Sequence, residues 1–164
     1  MKTISFLICF LFISSLSFSQ TYEIGGFLGG SNFIGDVGST QFVNPNKLAF
    51  GGLFKWNKSP RHSFRASLTY STLSADDALS SDPRRNLRAY SFNAVILEAS
   101  VGIEFNFFDF DLHAATPMST PYIYTGISMA NHPNFYFTNI DFVSEKTRSN
   151  AYGIPITLGF KTTL

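Results

Sequence analysis

The stretch GGLFKWNKSPRHSFRASLTYS, residues 51–71, decides the fold. In its second half Phe64, Ala66, Leu68 and Tyr70 fall on one face of an extended chain, and Arg65, Ser67, Thr69 and Ser71 fall on the other. GLFKW alternates in side-chain character before it, and the polar NKSPRH (57–62) with its proline reads as the turn between two strands. The hairpin has a greasy face, which must meet either a protein interior or lipid.

A longer alternation bears on that choice. In NAVILEASVGIEFNFF, Val95, Leu97, Ala99, Val101, Ile103, Phe105 and Phe107 share one face, opposite Ile96, Glu98, Ser100, Gly102, Glu104 and Asn106. A typical globular strand is about 5 to 6 residues long, whereas a tilted strand crosses hydrocarbon in about 9 to 11. Composition points the same way: 14% of residues are charged and 16% aromatic, with 19 phenylalanines, against roughly a quarter charged in an average soluble domain. So little charge gives poor cover to a water-facing surface. The formal net charge of +1 argues against holding nucleic acid by neutralising many phosphates.

The start of the chain reads as an export segment. Lys2 precedes the apolar run Ile4 to Ile13, and Ser17-Phe18-Ser19 offers small residues for cleavage before Gln20. The expected organisation is therefore a signal peptide at 1–19 and one barrel domain at 20–164. The single cysteine, Cys9, leaves with the signal, which excludes internal disulfides, cysteine nucleophiles and cysteine metal sites from the remainder. No later stretch has the roughly 18 consecutive apolar residues of a spanning helix, so any crossing is by strands.

Six strands are legible: Tyr22 to Ile34, Ala49 to Trp56, the two alternating runs above, Tyr122 to Met129, and Tyr152 to Phe160, where Pro155 demands an edge or a bulge. Their connections are long at 35–48, short at 57–62, long at 75–88, intermediate at 108–120 and long at 130–150, the asymmetry of outer-membrane barrels. The expected fold is all-β, an antiparallel up-and-down transmembrane β-barrel of the small eight-stranded type in the outer membrane of a Gram-negative bacterium. Trp56 and Tyr70 are expected near its two interfaces. Six strands fall short of eight, so either residues 134–146 hide a hairpin or the chain lacks a final strand pair; the latter is the expectation.

Chemistry-bearing patterns are few. EIGGFLGGSNFIGDVG lacks the Lys-Ser/Thr of a phosphate loop, and its glycines suit a strongly bent strand. His62, His113 and His132 have no metal-ligand spacing, and Asp109 and Asp111 in FFDFDLH read as solvated carboxylates where a strand ends. Arg65, Glu98 and Glu104 lie on the face opposite the lipid side. A narrow lumen filled by side chains demands that such charges pair, so Arg65 is expected to meet one of the glutamates. DDALSSDPRRNLR is expected to pair its aspartates and arginines within one outside loop, the other reading being contact with lipopolysaccharide phosphates. No catalytic set, cofactor site, metal site or small-molecule substrate is expected; an enzyme reading would need His132 beside Asp76, Asp77 or Asp82 in an open cleft.

TYEIGGFLGGSNFIGDVG, NPNKLAFGGLFKWNKSPRHSFRASLTYS, LEASVGIEFNFFDFDLH and TPYIYTGIS together resemble the PorG-like outer-membrane proteins of the type IX secretion system, over most of residues 21–129. That resemblance implies a barrel in outer-membrane lipid that tethers the periplasmic PorK/PorN ring. Topology then puts the contact on 57–62 and 109–120, with Asn57, Lys58, Arg61, His62, Asp109 and Asp111 as candidate partner-binding residues. The competing expectation is a passive barrel, an adhesin or envelope-stabilising protein, acting through its long loops.

Overall fold

The computed structural model describes residues 21–112, 114, 116–137 and 142–163; the export segment expected at 1–19 lies outside them. Alternation becomes strand throughout: β1 (Tyr22–Ser31), β2 (Lys47–Asn57), β3 (His62–Asp76), β4 (Ser91–Asn106), β5 (Ser119–Phe137), β6 (Phe142–Gly153) and β7 (Ile156–Thr162). Each of β1 to β5 pairs antiparallel with the next, and β7 also pairs with β5. The result is an all-β meander curled into a half-barrel.

β6 and β7 behave as one strand interrupted at Pro155. Gly153 faces Ser128 and Ile156 faces Thr125, the same three-residue step on both sides, so the register runs straight through the gap. Proline has no N–H to give to the ladder, and an edge strand tolerates that loss. Counted this way the sheet has the six strands legible in the sequence. Among the described residues no ladder joins β1 to β6 or β7, so the sheet is open, as six strands of an eight-stranded type of barrel would leave it.

The connection expected at 130–150 is corrected. β5 runs to Phe137 and β6 starts at Phe142, so the long loop is mostly a hairpin that extends the sheet, with an irregularity between Pro133 and Phe135. His132 accordingly sits in β5, and His62 opens β3, where a turn or loop was expected. The long connection after β3 also holds a 3-10 turn (Asp77–Leu79) and one short helix, α1 (Pro83–Arg88).

Gly102 and Gly126 face each other across β4 and β5. A Cβ on Gly102 would lie 2.1 Å from the Thr125 carbonyl oxygen, and one on Gly126 would lie 2.1 Å from that of Val101. Only glycine permits so close an approach of two strands.

The two faces are inverted relative to a soluble protein. Outward-facing Ile24, Leu28, Phe54, Leu68, Val101, Ile127 and Leu158 are all exposed, whereas the residues that the fold buries are mostly polar, among them Lys55, Ser63, Ser100, Glu104, Asn106 and Thr120. From Phe105 to Val95, ten steps of about 3.4 Å, β4 presents only apolar side chains outward. At a strand tilt of about 40° that face is roughly 26 Å tall, the height of a lipid-facing band. Aromatic rings mark both ends of it: Trp56 and Phe64 lie 5.4 Å apart at the short-turn end, and Phe50 and Tyr70 lie 5.0 Å apart toward the other.

Candidate functional site

The inner face carries the charge. Lys55 is on β2, Arg65 on β3, Glu104 on β4 and Lys161 on β7, each at a position whose sequence neighbours point outward. Glu104 is completely buried, and its Oε1 accepts from Lys55 Nζ at 2.8 Å and from Lys161 Nζ at 2.9 Å. Arg65 Nη1 lies 3.5 Å from Glu104 Oε2, and its guanidinium sits over the Tyr124 ring at 4.7 Å. One carboxylate thus ties together four strands. Arg65 and Glu104 are brought together as a lumen pair, while Glu98, farther along β4, forms no ion pair with another described side chain. Sequence reasoning missed Lys55 and Lys161, although both occupy inward positions between apolar outward residues, Phe54 and Trp56 in one case and Phe160 in the other.

Hydrogen bonds fill the inner face above and below this cluster. Tyr124 donates its hydroxyl to Ser100 Oγ at 3.1 Å, and Ser63 Oγ donates to Asn57 Oδ1 at 2.7 Å. These hydroxyls thereby find partners inside the half-barrel, whereas Arg65 Nε, Glu104 Oε2 and Asn106 Oδ1 are buried without a hydrogen bond among the described residues.

At the short-turn end two segments lock into one platform. The β2–β3 turn closes with Lys58 N–H and Ser59 N–H donating to the His62 carbonyl at 3.0 and 3.1 Å. The β4–β5 connection crosses to it: Phe110 N–H donates to the Pro60 carbonyl at 3.1 Å, Asn106 Nδ2 donates to that carbonyl at 2.8 Å, and Arg61 pairs with Asp109. Phe110 is buried with Lys161 Nζ 4.6 Å from its ring centre, so it caps the inner face. Of the candidate partner-binding residues, Lys58, Arg61, His62, Asp109 and Asp111 are exposed at this end, and Asn57 is half-buried beneath them. Asn57 Nδ2 donates to Glu23 on β1.

The opposite end is latched by charge. Asp77 is wholly buried; Arg88 Nε donates to its Oδ2 at 2.8 Å, and Gly38 N–H donates to its Oδ1 at 2.7 Å. Arg88 also reaches Asp36 Oδ2 at 2.8 Å, which joins the β1–β2 connection to the β3–β4 connection. Burial on its own would raise the Asp77 pKa, but the Arg88 hydrogen bond and the N–H groups of Gly38 and Tyr90 outweigh it and hold the carboxyl below the ordinary aspartate range. Asp77 raises the Arg88 pKa in turn, with Asp36 adding to the effect. Gly38 has φ +97°, and a Cβ there would lie 2.8 Å from Ala75 Cβ, so this contact requires glycine. In the segment DDALSSDPRRNLR, Arg85 donates to the Gly38 carbonyl at 3.1 Å and Arg84, largely exposed, lies 3.7 Å from Asp82. Asp77 and Asp82 are therefore paired with Arg88 and Arg84, Arg85 and Arg88 reach the neighbouring connection, and Asp76 accepts from the Ala78 N–H.

Among the described residues no group of three or more metal-ligating side chains is placed to hold an ion, and no helix is long and apolar enough to cross a membrane. His132 Nδ1 lies 3.1 Å from the Pro133 carbonyl oxygen, in β5. A family model described as a domain of unknown function, DUF6089, matches residues 1–164, and the chain belongs to that family. No curated protein and no solved structure matches it.

Proposed function

We propose that this DUF6089 chain is a membrane-embedded structural component of an export machine, with its convex face in outer-membrane lipid and its short-turn end as the docking platform. The observation that carries the membrane reading is the placement of charge. From the Phe50–Tyr70 row to the short-turn ends of the strands, every Glu, Lys and Arg of the described strands, namely Glu23, Lys55, Arg65, Glu98, Glu104 and Lys161, falls on the inward side of the alternation, and the outward positions are apolar or glycine with a few hydroxyls. Water would reward the opposite arrangement, whereas lipid penalises an outward Arg or Lys by about 2 to 4 kcal/mol at mid-depth.

The secretion reading rests on the resemblance to PorG-like proteins. In support, the two stretches that carry it most specifically, FKWNKSPRHSFRASLTY and IEFNFFDF, meet through Arg61–Asp109 and through the bonds to the Pro60 carbonyl. They form one held surface from segments distant in sequence, as a scaffold that tethers a PorK/PorN ring would require. The test is recovery of partners from detergent-solubilised outer membranes. The tagged chain should retain PorK and PorN, and Arg61→Ala with His62→Ala should reduce recovery; retention of neither protein by the unaltered chain overturns this reading.

The latched long-connection end supports a second reading, a barrel that acts through its outside loops. Arg88 bonded to both Asp36 and Asp77 gives those loops a fixed shape. Replacing 77–90 with a short turn would abolish function under this reading and spare it under the first.

A further inference from the structure

The outward face changes character toward the long-connection end of β5 and β6. Down β6 the outward positions are Arg148, Asn150 and Tyr152, opposite Pro133, Asn131 and Met129 of β5, and Ile154 follows in the gap before β7. A cation, an amide, a phenol ring and a branched aliphatic chain therefore succeed one another in a single column.

Arg148 is exposed yet held in place. Its Nε donates to Asn131 Oδ1, and its Nη2 donates to the Asn131 and Val95 carbonyls, each at 2.9 Å. The β4–β5 ladder ends at Leu97 and Asn131. The next outward pair would set Val95 against Pro133, which has no N–H to give, and the guanidinium supplies that carbonyl instead. Asn131 Nδ2 donates in turn to Asn150 Oδ1 at 2.8 Å, which fixes the whole polar group on the outer surface. Arg148 Nη1 is left with N–H groups that no described residue accepts, and no carboxylate among the described residues pairs with it.

Beneath this group lies an apolar groove of about 580 Å³, lined mainly by Ala99, Val101, Ile127, Met129, Tyr152 and Ile154. The short side chain of Ala99, between Leu68 on β3 and Met129 on β5, opens it. The guanidinium rests on Asn131, one outward position above Met129, so two steps of about 3.4 Å separate it from the top of the groove. Its height is that of Val95, where the apolar outward run of β4 ends, which is headgroup depth for a chain seated in a bilayer. An arginine with free N–H groups matches phosphate oxygens. The glycerol of a lipid spans the short gap below, and an acyl chain suits the groove.

We propose that this surface of β4, β5 and β6 is a site for one phosphate-bearing lipid of the leaflet on the long-connection side. The phosphate accepts from Arg148 Nη1, and one acyl chain lies along Tyr152, Ile127 and Ile154. The inference rests on the membrane reading of the outward face and not on the secretion reading.

The experiment uses the full chain in nanodiscs of dimyristoylphosphatidylcholine doped stepwise with dimyristoylphosphatidic acid, with the NMR signals of Arg148 Nε–H and of the Gly153 amide as reporters. Phosphatidic acid presents a phosphate with no cation of its own, so both signals should shift together and saturate. Dimyristoylglycerol, which has the chains without the phosphate, should shift neither signal saturably, and inorganic phosphate should leave Gly153 unmoved. Arg148→Gln, read at Gly153, should weaken the response to phosphatidic acid about tenfold, as loss of a charge-assisted hydrogen bond implies. Ala99→Phe fills the groove and leaves Arg148 in place, and it should weaken the response at Arg148 by a similar factor while the remaining spectrum stays dispersed. Shifts that rise in proportion to phosphatidic acid without saturating, that inorganic phosphate reproduces at Gly153, or that Ala99→Phe leaves unchanged would overturn the site. Nuclear Overhauser contacts between lipid acyl protons and the Ile127 methyl groups, read in undoped discs, report the membrane reading separately. Their presence without saturation removes the site alone; their absence removes the membrane reading with it.

Discussion

Replacing Glu104 with Gln isolates the interaction that ties β2, β3, β4 and β7 together. The carboxylate is fully buried, Lys55 is 7% exposed, and the side chains of Arg65 and Lys161 retain 12% and 15% exposure. At 2.8 Å and an effective dielectric of about 20, each ammonium contact is worth roughly 6 kcal/mol gross. Desolvation of the ions offsets most of that, so the pair in place adds little net stability. Removing only the anion is different, because three cations then stay inside with nothing to neutralise them, a situation that costs about 3 to 5 kcal/mol. The assay is urea unfolding in lipid vesicles, followed by the fluorescence of Trp56, the single tryptophan, which sits on the outward face. Glu104→Gln should lose about 3 to 5 kcal/mol. In a Lys55→Met background the same change should cost less by about 1 to 3 kcal/mol, since coupled neighbours are not additive. Equal unfolding midpoints for Glu104→Gln and the unaltered chain would mean that the inner face is solvated and the cluster screened, and the account of the lumen would fail.

On the outward face, Val101→Arg in vesicles should destabilise by about 2 to 4 kcal/mol; a change within about 0.5 kcal/mol, usual for a water-exposed site, would refute lipid contact there. Gly102→Ala forces a Cβ against the Thr125 carbonyl at 2.1 Å, so a loss of about 1 to 3 kcal/mol or more is expected, visible as loss of the compact band on an unheated SDS gel. Gly29→Ala, with nothing within 4 Å of the added carbon, should leave that band in place. For the loop latch the folded pKa of Asp77 lies below its unfolded value of about 3.9. Its contribution is therefore complete above about pH 4 and is lost as pH falls through the lower folded value. Pepsin cleavage after the exposed Leu79 and Leu87 should accelerate across that window, and Asp77→Asn should cleave rapidly at every pH with no such step.

Period-two alternation made the strands of this chain legible, because a strand between an apolar and a polar medium must place every second side chain in each. The alternations Phe64 to Tyr70 and Val95 to Phe105 hold within β3 and β4, although β4 ends at Asn106, short of the Phe107 included in the reading, and the inward set Arg65, Glu98 and Glu104 followed from the same count. Connections were harder to read where strands continue beyond the apolar band. Outside it no face needs to be greasy, so the polar residues around His132 and Arg148 resemble a loop although their backbones stay paired. Tyr152 to Phe160 reads as one strand through Pro155, and β6 and β7 do keep a single register across it, the missing N–H only interrupting the ladder. The Glu104 cluster was half visible: which charges point inward is periodic, but which of them meet depends on register between strands, and Lys161 reaches Glu104 from 57 residues away. Asp77 carried no periodic signal, since its role depends on Gly38 and Arg88 arriving from two different connections.

The lumen cluster and the turn-end platform are mechanically continuous. Glu104 stands two residues before Asn106, whose amide holds Pro60, and Lys161 bonds Glu104 while lying against the ring of Phe110, whose N–H also holds Pro60. A force on the exposed turn is therefore carried through Pro60 into Asn106 and Phe110, and from there into a buried ion cluster anchored on four strands. Exposed ion pairs such as Arg61–Asp109 contribute only about 0 to 1 kcal/mol and could not hold a load by themselves. Placing the strongest polar contacts just beneath the turn, within the low-dielectric interior, gives the turn-end surface the stiffness of the sheet, which is what the proposed docking role would require of it.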